Sequence, residues 1–108
     1  MKSVVPALAL VATFLCLSGT AWGQASAQSQ RLALRSMASG CAQCHGTDGR
    51  AVPGEAMVRL AGLPRQHLLT QLMAFRTGDR KATIMHQITR GYSELQLEML
   101  ADYFAGQK

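Results

Sequence analysis

The sequence is poor in the residues that usually hold a small domain together. Aromatics make up 6% of 108 residues, with one tryptophan, two tyrosines and three phenylalanines. There are three prolines and three cysteines. No stretch alternates apolar and polar residues at period two for long enough to read as a strand. The absence of an internal repeat or low-complexity tract excludes a solenoid. No basic run carries interleaved aromatics, so the nucleic-acid footprint is missing and no nucleic acid is expected as a partner. Charge is sparse: 11 basic and 6 acidic residues leave +5 with the histidines neutral. A mildly basic surface of this kind favours an acidic partner.

What is present begins with a leader. Lys2 is a minimal positive segment, Val4 to Leu17 is apolar but short for a membrane span, and small residues recur before Gly23 and Ala27. Residues 1–27 therefore read as a secretory signal peptide, with cleavage after Gly23 or Ala27 left open. Cys16 lacks the small preceding residue of a lipidation site and reads as an apolar residue of the leader. Export to the periplasm is expected, with residues 28–108 as the mature domain and no membrane span in it. Removing Lys2 leaves 10 basic against 6 acidic residues, a net +4. A domain of about 80 residues has a marginal core of its own and often needs a staple.

The staple is legible at Cys41-Ala42-Gln43-Cys44-His45. Two cysteines three apart, followed at once by histidine, form the c-type haem attachment pattern. On a helical turn the two thiols share a face, so each can form a thioether with one haem vinyl group. The following imidazole is then placed to bind the iron. The competing readings are a redox dithiol, a small disulfide loop and half of a zinc site. Haem attachment consumes both sulfurs and agrees with export. One covalent haem c is therefore expected, and its apolar body would supply much of the core.

Along the mature chain, Gln28–Ser39 reads as a helix leading to the motif, with Gly40 permitting a turn before Cys41. Residues 46–62 read as a loop punctuated by glycines and Pro53. The carbonyl of Val52 or Pro53 is placed to accept a hydrogen bond from His45. Pro64–Thr77 reads as a helix stopped by Gly78. A loop and short helix follow, closed by Gly91. Ser93 and Gln96 form a capping box for a last helix whose buried stripe is Leu97, Leu100, Ala101 and Phe104.

An iron held by His45 takes a sixth ligand or leaves a site open. Met37, Met57, Met73, Met85, Met99, His67 and His86 are the candidates. Met73 and Met99 fall in helices where packing explains them. Met85 is best placed, in the segment between two helices, and the adjacent His86 competes with it. Cys41 and Cys44 thus stand as haem-binding residues and His45 and Met85 as iron ligands.

Taken together, Cys41-Ala42-Gln43-Cys44-His45-Gly46, Leu60-Ala61-Gly62, Phe75-Arg76-Thr77-Gly78, the late Met85 and the closing Tyr103-Phe104 resemble the small class I c-type cytochromes. The resemblance runs from about Leu32 to Ala105. It implies an all-α fold of three to five helices wrapped around one covalent haem. Thr83-Ile84-Met85, Gly91-Tyr92-Ser93 and Tyr103-Phe104 are most similar to the cytochrome subunit of flavocytochrome c sulfide dehydrogenase. That likeness implies electron transfer rather than catalysis, with a flavoprotein sulfide dehydrogenase subunit or another redox protein as partner. One departure is the single attachment motif, since some of those subunits carry two haem domains. Another is Val58, where soluble relatives often have proline two residues before the leucine. A free-standing electron carrier is the alternative within this class. A five-coordinate haem enzyme or sensor and a zinc module built with His67 and His86 are the readings outside it. Arg50, Arg76, Arg80, Lys81 and Arg90 are the cations expected near an exposed haem edge. Met57, Val58 and Leu63 are the residues expected to serve an apolar interface instead.

Overall fold

The computed structural model describes the backbone from residue 7 and the side chains from residue 26, residues 55 and 56 excepted. Most of the residues that carry the signal-peptide reading, Lys2 to Leu17 and the flanks of Gly23, lie outside these described side chains. The chain divides into two compact units, residues 1–33 and 34–108. The elements are α1 (Ala7–His45), a single 3-10 turn (Thr47–Gly49), α2 (Arg65–Thr77), α3 (Met85–Arg90) and α4 (Glu94–Ala105). Among the described residues there is no strand. None of the described helices is long and apolar enough to cross a membrane.

In the first unit the backbone is helical from Ala7, and Arg31 Nε donates to the Ala27 carbonyl at 3.5 Å. The second unit holds everything from Leu34 on. Its best-defined element is α4. Ser93 Oγ accepts from the Gln96 N–H at 3.2 Å, while Gln96 Oε1 accepts from the Ser93 N–H at 2.8 Å. This reciprocal cap satisfies two donors that the first turn leaves without partners and fixes the start of the helix. The expected stripe is then buried: Leu97, Leu100, Ala101 and Phe104 expose 0–3% of their surface. Burying a leucine this completely stabilises the fold by about 1.5–3 kcal/mol.

Leu68 of α2 and Ala38 of α1 complete the buried cluster. Helix α2 packs against both α4 and α3. Its N-terminal cap is Pro64, whose missing N–H costs nothing there, and its C-terminal cap is Gly78 in the left-handed region. Arg65 on α2 reaches Asp102 (2.6 Å) and Glu98 (4.0 Å) on α4. These ion pairs are exposed, so each is worth about 0–1 kcal/mol and orients the helices more than it stabilises them. Helix α3 is short and ends at Gly91, and its Thr89 is buried with its hydroxyl donating to the Met85 carbonyl at 2.9 Å.

One expectation fails. Helix α1 does not stop at Ser39 or turn at Gly40; it runs through the motif to His45. Gly40 serves a different purpose, because a Cβ there would lie 3.3 Å from the Tyr92 hydroxyl. The residue is a point of close approach within a continuous helix.

Candidate haem site

Cys41, Cys44 and His45 occupy the last turns of α1, so the three-residue spacing falls on true helical geometry. Both cysteines are unpaired in this structure. Cys41 is half-buried against the core cluster and Cys44 is exposed. Burial pushes the Cys41 thiol above its ordinary value, and the neighbouring Cys44 adds to the shift. Among the described residues, no three His, Cys, Asp or Glu side chains gather as a metal site, so the zinc reading finds no ligand set.

His45 is the last residue of the helix, and its Nδ1 lies 2.6 Å from the Val58 carbonyl. A carbonyl can only accept, so Nδ1 carries a proton, and in the neutral ring Nε2 then keeps its lone pair. That is the tautomer an iron ligand needs. The acceptor differs from the expected Val52 or Pro53. The reason is the register of the 46–62 loop, which is pinned when the Gly49 carbonyl accepts from both the Leu60 N–H (2.8 Å) and the Ala61 N–H (3.0 Å). That pairing brings residue 58, not residue 53, to the imidazole.

Gly49 itself is buried, with φ at +76°. A Cβ on it would stand 2.8 Å from Phe104 Cδ1 and 2.9 Å from Leu60 Cβ. The loop is tied to the chain's C-terminal segment by three further bonds. Gly62 N–H donates to the Phe104 carbonyl (2.9 Å), Arg50 Nε to the Lys108 carbonyl (2.6 Å), and the Tyr103 hydroxyl to Asp48 Oδ1 (2.5 Å). Asp48 also meets Arg50 Nη1 at 3.2 Å and Arg35 Nε at 3.8 Å. The Tyr103 hydrogen bond, helped by the two arginines, holds the Asp48 carboxyl below the usual carboxylate range despite some desolvation. Desolvation and the Asp48 bond push the Tyr103 phenol up.

The other predicted ligands fall as follows. Met85 opens α3 rather than lying in the preceding loop, and it is half-buried. His86 follows it and is also half-buried. Met37 and Met73 are half-buried against the core, Met57 and Met99 are exposed, and His67 is exposed on the first turn of α2. Among the described residues, no hydrogen bond joins Met85 or His86 to His45. The end of the α3 segment does reach the motif. Tyr92, just beyond α3, lies against Gly40, and its phenol is pushed up by burial and by Cys41. Its carbonyl accepts from Arg76 Nη1 on α2.

The residues present fit a covalently held haem. They offer two thiols on one helical turn, an imidazole with its distal nitrogen free, and exposed apolar side chains on the two segments that follow. Those side chains are Val52, Met57, Val58, Ile84 and Ile88, 37–62% exposed, and an apolar macrocycle would cover such surface at a gain. Cys41, Cys44 and His45 would hold the group, which when bound supplies one-electron exchange.

Sequence reasoning missed Asp48, and it named Tyr103 and Arg76 for the family likeness, with Arg76 also as a haem-edge cation, without the bonds they make. The Asp48-Gly49 turn dipeptide was a signal for the first. Nothing local marks the bonds of the other two, whose partners lie 55 and 16 residues away.

No family model matches the chain. Curated proteins do. The chain is 38% identical over 68 residues to a thiosulfate dehydrogenase electron acceptor of Thiomonas intermedia, covering 63% of this chain and 31% of that protein. It is 33% identical over 64 residues to the cytochrome subunit of sulfide dehydrogenase of Chlorobaculum tepidum, covering 59% and 56%. It is 34% identical over 99 residues to cytochrome c4 of Pseudomonas aeruginosa, covering 92% and 48%. The chain therefore spans about a third to just over half of the length of these curated relatives. An all-helical chain with this attachment turn and these relatives is a small c-type cytochrome, and its helices are those of the class I fold.

Proposed function

We propose that this protein is an exported electron carrier with one c-type haem, attached through Cys41 and Cys44 and ligated by His45 and Met85. The observation that carries the reading is the Val58 carbonyl at His45 Nδ1, which leaves Nε2 free at the end of the helix bearing both thiols. A thioether as sixth ligand favours ferrous iron and raises the potential, and a six-coordinate iron keeps no place for substrate. The leader, residues 1–27, directs the domain of residues 28–108 to the periplasm and is cleaved.

The partner is a flavoprotein sulfide dehydrogenase subunit, whose flavin passes electrons to the haem. The chemistry on sulfur belongs to that partner. Support comes from relatives named as a dehydrogenase's cytochrome subunit and as a dehydrogenase's electron acceptor. A free-standing carrier is the second reading, favoured by the relative matched over 92% of this chain, which is named simply cytochrome c4.

Two measurements test this. Met85→Ala should give a reduced form that binds carbon monoxide, whereas His86→Ala should not. The reverse result overturns the ligand assignment and favours His86. Capture of the tagged holo-protein's partner from periplasmic extract should return a flavin-containing protein. Recovery of a flavin-free redox protein instead supports the free-standing carrier.

A further inference from the structure

Asp48 is the one carboxylate of the 46–50 turn, it exposes only 17% of its side chain, and it has three partners drawn from three parts of the chain. Tyr103 comes from α4, Arg35 from α1, and Arg50 from the turn itself. Its backbone stands in the left-handed region, at φ +53° and ψ +26°, the one non-glycine residue to do so among those described. Such a conformation is uncommon for an aspartate and persists where surrounding contacts hold it. The next residue, Gly49, offers its carbonyl to Leu60 and Ala61. Two residues before Leu60 lies Val58, whose carbonyl receives His45 Nδ1–H. An unbroken series of bonds therefore runs from the Tyr103 hydroxyl through Asp48 and the Gly49 carbonyl to the imidazole.

We infer that Asp48, anchored by Tyr103, is a positioning residue for His45: it sets the turn that holds the Val58 carbonyl against Nδ1 and so tunes the electron donation of the imidazole. The inference rests on the assignment of His45 as an iron ligand. The physical consequence follows from the hydrogen bond. A carbonyl accepting from Nδ1–H makes the imidazole more basic, and a more basic ligand favours ferric iron. Loosening the turn weakens that bond and shifts the balance toward ferrous iron.

The test uses the haem-loaded full chain as wild type, Asp48→Asn and Tyr103→Phe. Tyr103→Phe keeps the ring packing and removes only the hydroxyl, so it carries the test if Asp48→Asn fails to fold. Proton NMR of the ferrous form reads the exchange of His45 Nδ1–H with solvent, and potentiometry reads the reduction potential. In both variants exchange should quicken by about tenfold or more, the factor set by losing one hydrogen bond to a charged group, and the potential should rise. The double variant should fall short of the sum of the single ones, because both changes act on the Tyr103–Asp48 contact, Asn keeping the acceptor oxygen but not the charge. A lower melting temperature with exchange and potential unchanged would assign Asp48 a purely structural role and overturn the inference. A wild-type iron with no imidazole ligand would overturn the assignment of His45 itself, and this inference with it.

Discussion

Gly49→Ala offers the sharpest check on how the site loop is held. Two costs arise. An alanine at φ +76° enters the left-handed region, at roughly 1–2 kcal/mol. Its Cβ would also stand 2.8 Å from Phe104, 2.9 Å from Leu60 and 3.1 Å from the Ala61 nitrogen, so a buried ring or the backbone must move. Overpacking of this kind costs about 1–3 kcal/mol. Together they amount to about 2–5 kcal/mol, a large part of the roughly 5–15 kcal/mol that keeps a domain folded. Gly78→Ala separates the two terms. Gly78 has φ +91°, and a methyl group there would meet nothing within 4 Å, so it incurs the conformational cost alone. Urea unfolding of both haem-loaded variants should place Gly49→Ala at least about 1 kcal/mol below Gly78→Ala. Equal midpoints would refute the claim that Phe104 and Leu60 close over Gly49.

The remaining expectations concern attachment, acid and docking. Cys41→Ala or Cys44→Ala should each lose one thioether, and the double variant should release all its haem to acid–acetone extraction; haem retained by the denatured double variant would refute the attachment. The Asp48 carboxyl is depressed by Tyr103, so its stabilising contribution is full above its ordinary value of about 4 and is lost as pH falls through the lower folded value. Melting temperatures across that range should fall less steeply in Asp48→Asn than in wild type, and parallel curves would contradict this. Of the five cations expected near a haem edge, Arg50 alone meets a side-chain carboxylate among the described residues, that of Asp48, while Arg76 and Arg80 bond neutral oxygens and keep their charge. Complex formation should therefore weaken as ionic strength rises, and a flat response to salt would rule out electrostatic steering.

The second half of the fold was legible because its signals are local. Pro64 and Gly78 bracket α2, Gly91 ends α3, and the Ser93–Gln96 pair announces α4 within four residues. The attachment turn was legible for the same reason. What escaped depends on distant partners. Gly40 looks like a turn until Tyr92, 52 positions later, is seen pressing on it within a helix. The imidazole's acceptor moved from Val52 or Pro53 to Val58 because Gly49 pairs with Leu60 and Ala61, a register that composition does not reveal. Arg80 reads as a cation near a haem edge, and nothing local foretells that its guanidinium sits 4.7 Å from the Phe75 ring centroid and bonds Gln71.

The bonds from Asp48 to Tyr103 and from Arg50 to Lys108 span 55 and 58 residues. They also bear on the time course of folding. Contacts so distant in sequence must meet the entropy of closing a long loop before they return any energy, and chains rich in them fold slowly. The run from α2 through α3 to α4, with its caps and short connections, has no such span to close. On loop-closure grounds the surroundings of the attachment turn are expected to close after the helices that pack locally. If a haem is joined at Cys41 and Cys44, such an order would leave both thiols accessible until residues 103–108 close over the 46–50 turn.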